Sequence, residues 1–259
     1  MALEFIRTGW NMKQMMKLLV MSAAYCQDSR VPPELQILDP ENRLLARGPR
    51  YRLSAEMIRD QALVVSRLLV EKLGGPSVKP YHPPGLYEQV VAGNGPSTYV
   101  QGKGEDLYRR SLYTYWKRSV PNPAMLVFDA PFRETCAVRR SRTTTPLQAL
   151  NLLNDPTYVE AARFLAERMM REGGTMPESR IRRGFRLVTS REPRANELNV
   201  LATGWRRMEA SFHADRSGAE SLLGVGETKA DPNFDPAELA AYSTVASTLL
   251  NLDETITKE

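Results

Sequence analysis

Between Gly74 and Gly104 the chain reads GGPSVKPYHPPGLYEQVVAGNGPSTYVQGKG, a stretch in which neither a helix nor a strand can run far. Glycine favours turns, proline withholds the backbone N–H that a helix or a ladder needs, and no period of 3.6 or 2 is sustained. Extended, polyproline-like pieces joined by turns are expected. A loop of this length is uncommon unless it is ordered against something or carries function. The flanking segments must therefore supply the core, and the excursion must be fastened to it. The expected fold class is mainly α: an irregular helical domain with a small β-hairpin or short-strand element and a long ordered Pro/Gly-rich loop.

The flanks have the grammar of helices. Ser54 is placed to cap AEMIRDQALVVSRLLVEKL, where Ile58, Ala62, Val65, Leu69 and Leu73 recur at helical spacing before Gly74, Gly75 and Pro76 stop it. Thr145, Pro146 and Gln148 have the spacing of a capping box with proline in the first turn. Asp155–Pro156 opens TYVEAARFLAERMMRE, ended by Gly173 and Gly174, and Asp235–Pro236 opens AELAAYSTVASTLLNL. Two further helices are predicted over 178–188 and 195–211, and 214–234 reads as a flexible connector before the C-terminal helix. DLYRRSLYTYWKRSV, rich in Tyr, Thr and Trp, predicts a strand over 111–117, paired with part of the preceding loop. The opening MALEFIRTGWNMKQMMKLLVMSAAY has a superficial likeness to a signal peptide. Glu4 and scattered polar residues favour an amphipathic helix whose apolar face, with Phe5, Met12, Met15, Met16, Leu19 and Val20, is read as core.

A fold of 259 residues buries roughly three quarters of its unfolded surface, so a real core is attainable. No apolar run approaches the ~20 residues of a spanning helix. The net charge of +5 arises from 35 basic and 30 acidic residues, too small an excess to indicate a dedicated nucleic-acid binder. Cys26 and Cys136 have neither metal-site nor haem-attachment spacing, although one bond between them stays open.

Several chemistries lack their signatures. The sequence holds no Gly-x-Ser-x-Gly elbow, phosphate-binding glycine–lysine loop, dinucleotide fingerprint or His-Glu-x-x-His. His82 and His213 are its two histidines, which excludes a histidine-rich metal centre, and no metal ligands are assigned. RETCAVRRSRTTTPLQALNLLND is the best candidate for a site: Arg133, Arg139, Arg140 and Arg142 precede the helix start at Thr145, whose free N–H groups and dipole favour an anion. The anion-binding set is Arg139, Arg140, Arg142 and Thr145. The plainer reading pairs these arginines with internal carboxylates such as Asp129, Glu134 or Asp155. Tyr115 and Trp116 are candidates for stacking on a sugar ring or a base, or for one buried face of a strand. Carboxylate pairs able to cleave sugars would be Asp39 with Glu41, Glu105 with Asp106, or Asp129 with Glu134; Asp39, before Pro40, is better explained as a cap.

Taken in order, GWNMKQMMKLLVMSAAYCQDS, DPENRLLARGPRYRLSAEMIRDQAL, LGGPSVKPYHPPGLYE, YRRSLYTYWKRSVPNPAMLVFDAP, RTTTPLQALNLLNDPTYVEAAR and LLNLDETITKE closely resemble one family. It is the planctomycete-specific domain of unknown function 1553, found at the C-terminal end of large proteins that also carry a cytochrome c-like domain. The resemblance implies that 1–259 is a single domain, the C-terminal part of a larger, exported protein, with Met1 the start of a fragment or a shortened product. It implies an extracytoplasmic setting, neighbouring domains as partners and haem only in an upstream domain, so that this chain itself has no cofactor. Cys26 stands where the family pattern has arginine and His82 where it has glutamine, so neither is given a family-wide role. The expected function is an accessory or scaffold module, binding an acidic or sulfated polysaccharide through the arginines. The alternative is a carboxylate-dependent enzyme acting on polysaccharide. No membrane span and no nucleic-acid partner are expected.

Overall fold

The computed structural model describes residues 1–87 and 98–258; the expected long loop is described outside 88–97. Backbone contacts group the chain into two compact units, Met1–Tyr51 with the last residues from Thr257, and Arg52–Ile256. Twelve α-helices lie among the described residues. The short-strand element is a two-stranded sheet, β1 Tyr51–Arg52 with β2 Thr257–Lys258, which returns the chain's end to the close of the first unit.

The first unit holds α1 Ala2–Arg7, α2 Met12–Val20 and α3 Pro33–Leu38, none of which contains a buried residue. The predicted N-terminal helix is broken at Gly9 and Trp10, both at positive φ, and restarts at Asn11, whose side chain accepts the Gln14 N–H at 3.0 Å. Its apolar stripe does not enter a core: Met12 and Met16 are 64% and 56% exposed. The turn after α3 is closed by the Asp39 carboxylate, which accepts the N–H groups of Arg43 and Leu44 at 2.8 and 2.7 Å. Asp39 is thus a turn-closing group, in keeping with the cap reading.

In the second unit α4 is Ala55–Ser66, α5 Pro123–Val127, α6 Pro146–Asn154, α7 Pro156–Glu172, α8 Pro177–Thr189, α9 Ala195–Ala214, α10 Arg216–Leu223, α11 Pro236–Leu250 and α12 Asp253–Ile256. Asp155 and Asp235 cap α7 and α11 as the sequence indicated, accepting the N–H groups of Thr157 and Glu238. Helix α11 is apolar or small on every side, with Ala237, Ala240, Ala241, Val245, Ala246 and Leu249 buried, the pattern of a helix enclosed by others. It packs on α7, with α9, α10 and α8 beside it and α4 on the other flank of α7. At the α7–α8 crossing a Cβ on Gly184 would lie 2.5 Å from the Met169 sulfur, so glycine there permits the close approach.

Three local expectations are corrected. Helix α4 ends at Ser66 rather than Leu73, because Arg67 turns left-handed and Val70 pairs instead with Arg109; Leu73 is 83% exposed. The strand predicted over 111–117 is instead a 3₁₀ turn, Ser111–Tyr113, followed by a single parallel bridge from Thr114 to Val78. The pairing with the preceding loop does form, through Val78 N–H to Tyr113 and Tyr115 N–H to Val78, at 2.8 and 2.7 Å. Residues 214–234, expected as a flexible connector, contain α10, with Ala219 and Leu223 buried. The following loop is fixed by Glu160, which accepts the Thr228 N–H at 2.9 Å.

The excursion and the irregular chain that follows it, as far as Ser111, are fastened by buried guanidinium groups. Arg59 of α4 donates to the carbonyls of Leu107 and Arg109 at 2.6 and 2.9 Å and to the Ser111 hydroxyl at 3.1 Å. Arg109 reaches the carbonyls of Lys72, Gly74 and Pro76 while its guanidinium lies 3.9 Å over the Tyr113 ring. Irregular chain leaves carbonyls without a ladder partner, and buried carbonyls must be satisfied. Five donors on one planar group suit that task.

Candidate functional site

The candidate loop runs between α5 and α6. Asp129 and Arg133 adopt positive φ, turning the chain outward after α5. The loop's return is pinned at Asp129, whose carboxylate accepts the Thr143 N–H at 2.8 Å and the Thr143 hydroxyl at 3.0 Å and pairs with the buried Arg52. Arg52 also donates to the carbonyls of Thr143 and Phe128 at 2.7 and 3.2 Å. Gln148 completes the anchor, donating to the carbonyls of Val127 and Thr143 at 3.0 and 3.1 Å. The predicted capping box is therefore absent: Thr145 is the N-cap residue but makes no side-chain cap, and Gln148 is spent on the loop.

Between these anchors the loop encloses an open cleft of about 330 Å³ lined by Phe132, Arg133, Glu134, Arg139 and Arg140, among others. The predicted set is only partly assembled there. Arg139 and Arg140 line the cleft, whereas Arg142 and Thr145 do not. Arg140 is held by Glu56 of α4 at 2.8 and 3.0 Å, the internal pairing that the plainer sequence reading expected, although with a different carboxylate. Arg139 is exposed and bonds to no described residue. Arg133 lies 4.5 Å over the Trp116 ring, and the Trp116 indole N–H donates to the Phe132 carbonyl at 3.1 Å. Tyr115 carries the Lys79 ammonium 5.1 Å over its ring. Both candidate stacking rings thus already hold a cation against one face. The cleft offers one unpaired guanidinium, two more engaged elsewhere, and the carboxylates of Asp129 and Glu134 on the same wall.

Of the carboxylate pairs, Asp39 and Asp129 are committed to backbone N–H groups and, for Asp129, to Arg52. Glu105 and Asp106 sit in the 3₁₀ turn Gly104–Tyr108. Both cysteines are exposed free thiols. Among the described residues no three His, Cys, Asp or Glu side chains are grouped closely enough to hold a metal ion, and no helix is long and apolar enough to cross a membrane.

Sequence reasoning missed the charged groups buried in the helical unit. Glu160 and Arg163 of α7 are 1% exposed each. Glu160 accepts from the hydroxyls of Tyr81 and Tyr108 at 2.8 and 3.0 Å, and Arg163 donates to the Thr228 carbonyl. Burial and the neighbouring Glu160 push the Tyr81 phenol well above its usual range. One signal was present: Arg59 lies four residues from Ala55 and from Leu63, and Arg163 four from Val159 and three from Ala166, so both fall on the apolar stripes of their helices. A long cation at such a position must find partners inside.

These features define a mainly α module with an arginine-bordered surface cleft and an internal network of arginine–carbonyl bonds. Residues 1–205 match the family model described as PSD1, a protein of unknown function (DUF1553). The chain belongs to that family. No curated protein and no solved structure matches it.

Proposed function

We propose that this chain is an accessory interaction module, working in contact with neighbouring domains of a larger extracytoplasmic protein of the planctomycete, cytochrome c-associated kind. The observation that carries this reading is the first unit. Its three helices bury nothing, and Leu3, Ile6, Met12, Met16 and Leu18 are between 50% and 84% exposed. Apolar exposure on that scale marks interaction surfaces, and flexible methionines adapt well to a partner. Haem, in this reading, belongs to a neighbouring domain. The test is a titration of this chain with a separately produced neighbouring domain of the same gene product. Saturable binding is expected, weakened at least about tenfold by Met16→Glu with Leu18→Glu. Binding that is absent, or indifferent to the double change, removes the reading.

A second reading concerns the loop: an acidic or sulfated glycan held at Arg139, Arg140 and Arg142. The unpaired Arg139 beside a concave surface favours it. Retention on heparin, compared between the unmodified chain and the combined change of these three arginines to Ala, tests it. Lower salt for elution is expected, and equal retention by a folded variant ends this reading. The enzyme alternative has less support, since Asp129 is committed to Arg52 and Thr143.

A further inference from the structure

A separate cleft in the helical unit, about 690 Å³, lies away from the arginine loop and shares no lining residue with it. Its size falls in the range of about 300–1,000 Å³ typical of small-molecule sites. Four parts of the chain build it: the outer face of α6, the Asp155–Pro156 start of α7, the extended piece from Tyr81 to Pro84, and Gln101.

The walls are mostly apolar. Leu147 and Leu150 of α6 are 57% and 56% exposed, and Pro83, Pro84 and Pro156 face the same space. Between them stand planar polar side chains, three amides, a carboxyl and an imidazole: Gln101, Asn151, Asn154, Asp155 and His82. No lysine or arginine lines the cleft, so nothing there would attract a sulfate or phosphate. Asp155, its single charged group, is spent in part on capping α7 through the Thr157 N–H at 2.9 Å, and burial raises its carboxyl above the usual range.

Two of these residues are short of partners. The His82 Nε2 and Asn151 Nδ2 atoms are both shielded from water and bond to no described residue. Other buried polar atoms of the chain, Gln148 Oε1 and Trp205 Nε1 among them, also bond to no described residue; what sets these two apart is that both belong to residues lining one cleft, where a ligand or a water can complete them. Their roles differ. His82 Nδ1 lies 3.1 Å from the Pro83 carbonyl oxygen, which can only accept, so Nδ1 carries the proton and Nε2 of the neutral ring is an acceptor. The Asn151 amide nitrogen is a donor. The imidazole is held in place by stacking on Tyr99 at 4.5 Å, whose hydroxyl donates to the Pro80 carbonyl at 2.7 Å.

We infer that this cleft is a binding site for a neutral sugar unit, its ring seated against the leucine and proline walls and its hydroxyls exchanging hydrogen bonds with Asn151 and His82. A hydroxyl both donates and accepts, which suits an unpaired acceptor and an unpaired donor set in one cleft. Amide and carboxyl groups without a cation select for an uncharged polyol over an acidic one. An extended peptide would find the apolar walls but would not need this density of side-chain amides.

The test uses the full chain on an array of neutral, N-acetylated and sulfated oligosaccharides, with decaproline as a peptide control. Binding to neutral or N-acetylated members is expected, and the best of them should shift the Asn151 side-chain amide resonances of the unmodified protein. Asn151→Leu and, separately, Leu150→Arg on the exposed face should each weaken it by about tenfold or more, with unchanged helical content by circular dichroism. Capture of sulfated members alone, of decaproline alone, or of nothing overturns the inference. So does neutral-sugar binding that leaves the Asn151 resonances in place. The Arg139, Arg140 and Arg142 changes serve as a control and should leave neutral-sugar binding intact.

Discussion

Arg59 and Arg139 carry the same side chain and do opposite things. Arg59 is 5% exposed on the core side of α4 and feeds two carbonyls and a hydroxyl of the irregular chain that follows the excursion, at Leu107, Arg109 and Ser111. Arg139 stands on a surface loop and touches no described polar group. The difference lies in the backbone around them. Where irregular chain is pressed against helices, its carbonyls lose water and a guanidinium replaces the missing ladder. Where irregular chain faces solvent, water serves the carbonyls and the arginine has nothing to fasten. An arginine in this molecule is structural when unladdered, dry backbone lies within its reach.

The strongest way to break that contrast is Arg59→Met. The change keeps most of the packing volume but leaves the carbonyls of Leu107 and Arg109 and the Ser111 hydroxyl without a donor. At about 1–3 kcal/mol for each buried group left unpaired, offset by relief of a desolvated cation, a loss of roughly 3 kcal/mol is expected. Urea unfolding followed by circular dichroism would measure it, and an unchanged midpoint would show that the buried guanidinium fastens nothing.

A second, smaller effect is expected where the 224–235 loop meets α7. Gly226 has φ +97°, and a Cβ there would lie 2.4 Å from the Glu160 carboxyl carbon. Gly226→Ala combines backbone strain with displacement of the carboxylate that holds Tyr81, Tyr108 and Thr228, and should cost about 1–3 kcal/mol. If the variant unfolds at the same urea concentration as the parent, the Glu160 network is not what orders this loop.

The helix starts at Ser54, Asp155 and Asp235 were legible because a cap is local chemistry, written within four residues. The 3₁₀ turn at Ser111 and the early end of α4 were not, because distant partners decide them: Arg59 claims the carbonyls around Arg109, and Val70 pairs with Arg109 instead of continuing a helix. The same limit applies at the candidate loop. Its arginines were visible in sequence, but Arg140 pairs with Glu56, 84 residues away, and Gln148 was drawn from its cap by carbonyls at Val127 and Thr143. The apolar N-terminal stripe was also visible, but its period could not reveal that the first unit leaves it uncovered.

Acid sharpens the contrast next, because arginine pairs in the helical unit depress specific carboxyls. Arg168, with Arg183, holds the Glu172 carboxyl down to about 2, and Arg191, with the Arg194 N–H, does the same for Glu197, from an ordinary 4.5. A carboxyl with a lowered folded-state pKa stabilises fully above its unfolded value. That contribution should therefore be complete above about pH 4.5 and lost progressively as the pH falls towards about 2. Arg191→Gln should flatten this dependence in urea midpoints compared at about pH 5 and about pH 3. A slope equal to the parent's would mean that Arg191 is not what depresses Glu197.

The smallest expected effect is also the most discriminating. Arg139→Ala removes a guanidinium of the same chemistry as Arg59, yet no described donor or acceptor loses a partner, and the exposed backbone beside it keeps its water. Surface changes away from caps, cores and networks usually stay within about 0.5 kcal/mol, so the urea midpoint should not move. Heparin retention should weaken if Arg139 is the free cation of the loop cleft, and it should weaken less in Arg140→Ala, because Arg140 already spends its charge on Glu56. Destabilisation by Arg139→Ala comparable to that of Arg59→Met would mean that the loop is fastened as the excursion is, and that exposure does not separate the two kinds of arginine.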